Sequence, residues 1–432
     1  MEHSNFNHSL LSFLKDSPTP FHATDSMRNA LTDAGFIELF EEQSWVIDEG
    51  GKYFVTRNES SIIAFTTPQI DFHQTGWRMV GAHTDSPCLK LKPNAHVQRH
   101  GYHQLGVEVY GGALLHTWLD RDLSIAGRVS FKNQEGSIVS CLVDFKDPIA
   151  VVPNLAIHLN RQANEAFSVN PQTEILPILC GAQNEFDLQV LLKTQVEKQH
   201  PAAQVATILD FELSLYDTQA PALVGLHQEY ICSARLDNLL SCFVGLQALV
   251  DSDMQRPSLL ICTDHEEIGS LSACGANGPF LDDVLRRLSP NPERYVQAMQ
   301  RSMLVSADNA HALHPNYASK HDANHAPMIN KGAVIKVNAN QRYATNSETS
   351  SIYRDIAAEE DYTVQSFVVR SDMACGSTIG PITSGEIGVP TIDIGLPTFG
   401  MHSIRELAGS HDAHGLYKVL ARFMKRGKLI TR

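Results

Sequence analysis

The sequence has 432 residues, and its 34 Lys+Arg against 48 Asp+Glu give a formal net charge of -14. This length predicts two domains, and 43% hydrophobic with 19% charged residues is typical of a globular protein rather than a disordered or collagen-like one. The acidic balance argues against a general nucleic-acid binder and against attachment to an anionic membrane surface, since both need a basic face.

The amino-terminal part of the chain has the pattern of helices followed by strands. Apolar residues at helical and then at alternating spacing predict two helices, a hairpin and a further strand, over 10–15, 21–34, 53–66 and 77–80. Gly35 is expected to end the second helix in the left-handed conformation. The last strand leads directly into His83.

The next part of the chain is rich in strands. Strand-like runs occur at 105–110, 125–131 and 137–144, and Leu209 to Leu215 alternates apolar with polar residues. One helix, over 185–199, interrupts them. We therefore predict that a β-rich domain, residues 93–224, is inserted into a domain formed by residues 1–92 and 225–432.

Strands and helices alternate again after residue 225. Helices are predicted over 238–250, 280–288, 348–359 and 414–424, and strands over 259–262, 303–306, 334–337, 364–369 and 391–394. This alternation predicts an α/β fold in which a mixed sheet is covered by helices on both faces.

The sequence contains neither a membrane-spanning run nor a recognisable cysteine motif. No apolar stretch approaches the roughly 20 residues that cross a bilayer, so we expect no membrane segment. The amino terminus has no basic region followed by an apolar one, and we expect a cytoplasmic protein. The eight cysteines include no C-x-x-C pair, which argues against a thioredoxin-like motif and a four-thiolate zinc site. The 20 histidines direct the search for metal ligands to imidazole and carboxylate groups.

Five such residues lie at comparable places in the predicted fold. His83, Glu267, Asp308 and His402 come just after short apolar strands, and Asp237 precedes a predicted helix. In an open α/β sheet, segments leaving the carboxyl ends of the strands meet in one crevice. Imidazole and carboxylate are good zinc donors, and these five form two three-ligand sites if one carboxylate bridges ions about 3.5–4 Å apart.

Two further carboxylates accompany these candidate ligands. Glu266 precedes Glu267, so one glutamate can bind metal while the other takes a proton from the activated water. Asp85 follows His83 by two residues and suits the carboxylate that fixes an imidazole tautomer, although it would also suit a helix or turn cap.

The sequence resembles the aspartyl aminopeptidase family, which belongs to the cocatalytic two-zinc aminopeptidases. Five segments carry the resemblance in chain order: GAHTDSP at 81–87, SARLDN at 233–238, DHEEIGS at 264–270, SADNAHA at 306–312 with HPNY at 314–317, and MHSIRE at 401–406. The resemblance covers essentially the whole chain. It implies a zinc-peptidase type of sheet and hydrolysis of an acidic residue from the amino terminus of a peptide.

The resemblance also implies roles for individual residues. One zinc would be held by His83, Asp237 and Asp308, and the other by Asp237, Glu267 and His402. Glu266 would be the general base and later the acid, and Asp85 would orient His83. The peptide bond between Asp237 and Asn238 would be cis. The two ions are expected to be zinc, although these donors also accept cobalt or manganese.

Substrate recognition and assembly follow from the same resemblance. Lys336 matches the cation that meets an acidic substrate side chain, or it only covers apolar surface with its stem. The inserted domain would mediate self-association into a tetrahedral homododecamer. His158 would enter the active site of a neighbouring subunit and stabilise the oxyanion, or it is a packed interface histidine.

Alternatives at the level of function remain open at this point. They are a related two-zinc aminopeptidase of different side-chain preference and a non-catalytic zinc-binding cage. His321 and His325 have the spacing of an H-E-x-x-H zinc helix, but residue 322 is Asp. Asn324 and Pro327 do not favour a helix there, so we expect a structural pair.

Overall fold

A computed structural model describes residues 2–429. The first elements of the chain are α1 His3–Lys15, α2 Pro20–Asp33, β1 Ile37–Leu39, β2 Gly51–Arg57, β3 Ser61–Thr67, α3 Phe72–Thr75 and β4 Arg78–His83. Gly35 has φ 81°, which is the left-handed conformation expected after α2. The predicted hairpin is present, because β2 and β3 pair in antiparallel register from Gly51 opposite Thr67 to Arg57 opposite Ser61.

A second group of elements follows from residue 88. They are β5 Cys88–Arg99, β6 Tyr102–Tyr110, β7 Leu123–Asn133, β8 Ile138–Asp144, β9 Ile178–Gly181, α4 Leu188–Gln199 and β10 Val205–Asp217. The six strands form one antiparallel sheet in the order β8-β7-β10-β5-β6-β9. Leu192 and Val196 of α4 lie in the same apolar cluster as Val143 and Ile208 of the sheet, so the helix covers one of its faces.

The remaining elements alternate between strands and helices. They are β11 Ala222–Val224, β12 Tyr230–Ser233, α5 Leu236–Val250, β13 Ser258–Thr263, α6 Phe280–Leu288, α7 Pro292–Arg301, β14 Met303–Ala307, β15 Ala310–His311, β16 Ala333–Lys336, α8 Ser347–Glu359, β17 Val364–Phe367, α9 Ile379–Ile387, β18 Thr391–Gly395, β19 Pro397–Phe399, β20 Glu406–Gly409 and α10 Ser410–Lys425. Sequence analysis predicted neither α7 nor α9.

The chain divides into two structural units. The first contains the residues up to Asp85, Pro221–Met401 and the residues from Glu406 onward, and the second contains Ser86–Ala220 and His402–Arg405. The second unit begins earlier than the expected residue 93, because β5 pairs with β6 and β10 from its first residues. It ends before the expected residue 224, because β11 pairs with β12 of the first unit.

The first unit contains a nine-stranded mixed sheet in the order β1-β2-β3-β13-β4-β14-β18-β16-β17 and a five-stranded sheet. Successive residues of the central strands enter different apolar clusters. Val80 packs in the cluster that contains residues of α1, α2, α5, α8 and α10, whereas Met79 packs in the cluster that contains residues of α6 and α7. The predicted α/β fold, with a mixed sheet covered on both faces and a β-rich insertion, is confirmed.

The described residues carry two further properties that concern the predictions. Among residues 2–429, none of the helices combines the length and apolar character needed to cross a membrane. The free thiols among the described residues include Cys180, Cys242, Cys262, Cys274 and Cys375.

Candidate metal centre

Three neighbouring parallel strands of the nine-stranded sheet end at one edge. β13, β4 and β14 lie side by side, and Thr263 at the end of β13 is in register with His83 at the end of β4. Asp308 comes directly after β14, and the loop that carries Glu267 comes directly after β13. The ends of these strands therefore bring imidazole and carboxylate groups together.

His83 is buried, and its two ring nitrogens face different partners. Nδ1 donates to the backbone carbonyl oxygen of Asp85 at 3.0 Å, since a carbonyl can only accept. Nε2 lies 3.4 Å from Oδ1 of Asp237 and 3.6 Å from Oδ1 of Asp308. Because Nδ1 is committed to the carbonyl, Nε2 is the nitrogen that can bind a cation.

The spacing of these three donors fits a zinc ion. Tetrahedral zinc with bonds of about 2.0–2.2 Å holds nitrogen and oxygen ligands roughly 3.4 Å apart. The separations of 3.4 and 3.6 Å match this value, whereas a direct N–H···O hydrogen bond is usually about 2.7–3.2 Å long. All three residues are buried, and their ligand atoms lie within 4.8 Å of one another. The donor set is therefore suited to a shared cation.

Asp237 is positioned at the start of α5. Its backbone N–H donates to Oε2 of Glu406 at 2.8 Å. The next residue, Asn238, donates from Nδ2 to the carbonyl oxygen of Ala307 at 2.8 Å, which ties α5 to the end of β14. The Asp237–Asn238 peptide is cis, as the resemblance implies. Ligand oxygens of Asp237 and Glu267 lie within 4.8 Å of each other, so Asp237 faces both His83 and Glu267.

Glu266 and Glu267 lie in a short 3₁₀ turn, Glu266–Ile268. Their backbone N–H groups donate to the two carboxylate oxygens of Asp85, each at 3.1 Å. The same carboxylate lies 3.4 Å from Nδ1 of His83. Sequence analysis predicted Asp85 as a partner of the His83 ring, with a helix or turn cap as the alternative. The structure adds the glutamate turn as a second partner, and the shorter contact to the ring comes from the Asp85 carbonyl.

Negative charge is concentrated around these residues. Burial raises the pKa of Glu266 to about 8; His83 opposes this rise, and the carboxylates of Asp308, Glu267 and Asp237 add to it. Burial lowers the pKa of His83. The neighbouring carboxylates, led by Asp237, raise it by a larger amount, so the pKa lies well above its ordinary value. A bound cation would lower both pKa values, because it favours ionised carboxylates and a neutral imidazole.

Lys336 brings a positive charge to the same region. It is the last residue of β16 and is buried. Its Nζ lies 3.4 Å from Oδ2 of Asp308 and 5.5 Å from the ring centroid of Tyr343. The two carboxylate oxygens of Asp308 therefore face different groups, with Oδ1 near His83 and Oδ2 near the ammonium.

Two predicted site residues belong to the second unit. His402 lies in the segment His402–Arg405, has φ 68° and donates from Nδ1 to the carbonyl oxygen of Gly112 at 3.2 Å. His158 lies in a turn and is exposed. The role of each as a ligand or catalytic group rests on the sequence.

A comparison with protein families identifies the chain. The family of Aminopeptidase I zinc metalloproteases (M18) matches residues 13–424, which is nearly the whole length. The chain belongs to the M18 family. It is therefore an aminopeptidase of a zinc metalloprotease family, and the predicted resemblance to this group of enzymes is confirmed.

Individual relatives of this M18 chain agree with that assignment. A "Probable M18 family aminopeptidase 2" of Ectopseudomonas mendocina (strain ymp) is 59% identical over 422 residues, with 97% of this chain and 98% of the relative covered. A solved structure of the Ape4 and Nbr1 complex has TM-score 0.95 at 40% identity and covers 98% of this chain and 86% of that one. The S. cerevisiae mApe1 dodecamer has TM-score 0.84 at 28% identity and covers 97% and 96%.

The structure of the M18 chain also shows contacts that sequence analysis did not assign. Glu406 lies in the MHSIRE segment, but only the fold reveals that its carboxylate accepts from the N–H of Asp237. A second unassigned group is Asp264, His265 and Cys274, whose ligand atoms lie within 4.8 Å of one another. The predicted absence of a zinc helix at His321 and His325 agrees with the structure, where a 3₁₀ turn ends at Lys320 and no helix follows through 325.

Proposed function

We propose that this M18 aminopeptidase is a two-zinc enzyme that preferentially removes Asp or Glu from the amino terminus of peptides. The observation that carries the proposal is the placement of Nε2 of His83 at 3.4 and 3.6 Å from two buried carboxylates. The two adjacent glutamates held by Asp85 support it. These donors suit zinc, and cobalt or manganese are possible substitutes.

The proposed ligand sets share one carboxylate. His83, Asp237 and Asp308 would hold one zinc, and Asp237, Glu267 and His402 would hold the other. The bridging role of Asp237 is supported by its position near both His83 and Glu267. The assignment of His402 comes from the sequence.

Different residues of this chain would have different roles in hydrolysis. When bound, the two zinc ions would supply Lewis acidity to the scissile carbonyl and to the attacking water. Glu266 would accept a proton from that water and later donate it to the leaving amine. Asp85 would keep Glu266 in position, because it accepts the backbone N–H of the glutamate while also contacting His83.

Lys336 would provide the preference for acidic residues. A buried ammonium that already lies 3.4 Å from a carboxylate oxygen of Asp308 can also interact with an acidic substrate side chain. The formal charge of -14 repels such substrates at long range, so recognition would depend on this local cation and the metal ions.

The second unit would mediate self-association, and a tetrahedral homododecamer is the proposed assembly. The dodecamer of the S. cerevisiae relative supports this proposal. His158 would then reach the active site of a neighbouring subunit and stabilise the developing oxyanion. The sequence favours a cytoplasmic enzyme without a membrane or nucleic-acid partner.

The decisive experiment compares turnover of Asp, Glu, Leu and Lys amides by the zinc-loaded enzyme, before and after removal of metal with a chelator. We expect Asp and Glu amides to have the highest kcat/KM and chelation to abolish their hydrolysis. A preference for Leu or Lys would replace the acidic assignment with another aminopeptidase specificity. Zinc binding without turnover of any amide would support the alternative of a non-catalytic cage.

A further inference from the structure

Asp264, His265 and Cys274 form a group of possible ligands outside the two proposed zinc sites. Asp264 and His265 come directly after β13, and Cys274 lies in the loop before α6. Their ligand atoms lie within 4.8 Å of one another. This group differs from the proposed zinc ligands in one respect, since it contains a sulfur donor.

The fold holds the two ends of this group together through one side chain. The backbone N–H of Asp264 donates to Oγ of Ser61 at 2.8 Å, and the same hydroxyl donates to the carbonyl oxygen of Cys274 at 2.8 Å. Ser61 is buried at the start of β3, in the nine-stranded sheet. The backbones that carry the carboxylate and the thiol are therefore fixed relative to each other before any cation binds.

The thiol and the carboxylate each lie close to the His265 ring, but they face different ring nitrogens. Sγ of Cys274 lies 3.5 Å from Nδ1 of His265, and Oδ2 of Asp264 lies 3.5 Å from Nε2 of the same ring. Tetrahedral zinc holds sulfur and nitrogen ligands roughly 3.6 Å apart. One cation binds only one ring nitrogen. The ligand atoms lie up to 4.8 Å apart, so the side chains have to move by about 1 Å to bring all three to the separation found around zinc.

A cation can reach the group from solvent. The His265 side chain is 23% exposed, whereas Asp264 and Cys274 are buried beneath it. A thiolate, an imidazole and a carboxylate together select zinc and similar borderline or soft cations over magnesium or calcium.

We propose that Asp264, His265 and Cys274 form a third metal site, which takes a thiolate-binding divalent cation of the zinc type. On binding, the Cys274 S–H bond breaks, its proton passes to solvent, and the sulfur lone pair forms the bond to the cation. No electron is transferred in this step. Three protein ligands leave one tetrahedral position for water. The competing explanation is a hydrogen-bonded loop, in which Oγ of Ser272 occupies Nδ1 of His265 at 2.8 Å.

Cobalt distinguishes the two explanations, because a thiolate ligand gives cobalt(II) a near-ultraviolet charge-transfer absorption that nitrogen and oxygen ligands do not. The full-length protein is stripped of metal and titrated with Co²⁺ under anaerobic conditions. We expect this absorption to reach a plateau whose amplitude corresponds to one thiolate-bound cobalt per chain. The readout is independent of the proposed peptidase function, since none of the proposed zinc ligands contains sulfur.

Two single substitutions assign the absorption. Cys274→Ser is expected to remove it, whereas Cys180→Ser, which removes a thiol from β9 of the second unit, is expected to retain it. If circular dichroism shows that Cys274→Ser does not fold, His265→Asn is used instead and is expected to weaken the cobalt affinity about 10-fold or more. The proposal is overturned if saturated wild-type protein lacks the absorption, if a folded Cys274→Ser protein retains it, or if His265→Asn leaves the cobalt affinity unchanged.

Discussion

The donor region is the part of the first unit that contains most of the proposed zinc ligands. It differs from the segment around His158 in the second unit in how completely contacts within one chain hold it in place. In the donor region, His83, Asp85 and Asp237 are buried and each is held by a backbone or side-chain contact. The segment that begins at Asn154 is held at its start, where Asn154 donates to both carboxylate oxygens of Asp120 at 2.8 Å. Beyond it the chain exposes apolar side chains, with Leu159 75% exposed.

Contacts within one chain hold the donor region in place but leave the segment around His158 exposed. The donor region is arranged for chemistry by contacts within the first unit. In the exposed segment, His158 lies between apolar side chains that are exposed to solvent in a single chain. Exposed apolar side chains of this kind are typical of a surface that another molecule covers. Substitutions in the donor region should therefore act within the chain that carries them, and substitutions at His158 should act on a neighbouring chain.

The largest effect is expected for Glu266→Gln. Loss of the proton-accepting carboxylate should lower kcat on an Asp amide by about 10²–10⁴-fold, while zinc content and thermal stability stay near those of wild type. Glu135→Gln, at an exposed turn of the second unit, is the matched control and should retain activity. Unchanged hydrolysis by Glu266→Gln would remove this residue from the mechanism.

The second-largest effect is expected for His158→Ala. We expect kcat to fall by about 10²–10³-fold, the effect of losing an oxyanion donor. Co-expression with Glu266→Gln chains should restore part of the activity, because a site with Glu266 from one chain can receive His158 from the other. If His158→Ala is as active as wild type, or if co-expression restores nothing, His158 does not serve a neighbouring site.

A selective loss is expected for Lys336→Met. Removing the cation should lower kcat/KM for Asp amides by about 10–100-fold, the equivalent of one charged hydrogen bond, and should affect a Leu amide much less. The ratio of the two values is the measurement, since damage to Asp308 would lower both equally. Lys331→Met is the control, because Lys331 is exposed and precedes the same strand. An unchanged ratio would contradict the role of Lys336.

The smallest effect is expected for Asp85→Asn. An amide offers one acceptor oxygen to the two N–H groups of Glu266 and Glu267, so the turn that carries them should loosen. We expect kcat or zinc affinity to fall by about 10-fold, as is common for groups that support metal ligands. Asp33→Asn, at an exposed position at the end of α2, is the control. Wild-type activity and zinc affinity would show that Asp85 is dispensable.

Much of the fold could be predicted from the sequence, because apolar periodicity and cap residues are local signals. α6 was predicted with its observed bounds, Phe280–Leu288. Helix α9 was missed because Gly380 lowers helix propensity. The structure gives the reason for this glycine: a Cβ at Gly380 would lie 2.2 Å from a carboxylate oxygen of Asp393.

The sequence could predict the types of the residues in the candidate site and their positions at the ends of strands. His83 ends β4 and Asp308 follows β14, and these strands are parallel neighbours, so topology alone brings the two residues together. The contacts of Glu406 with Asp237 and of Asp85 with the glutamate turn join residues that are far apart in the sequence. Such contacts depend on side-chain positions that periodicity does not specify.

The central claim is that one chain binds a pair of zinc ions through a shared Asp237. It is tested most directly by the zinc content of zinc-saturated Cys274→Ser protein, in which the proposed sulfur site is removed. We expect two zinc ions per chain, and we expect Asp237→Asn in the same background to weaken the binding of both. Saturation at a single zinc per chain, or two zinc ions bound as tightly without Asp237, would contradict the account.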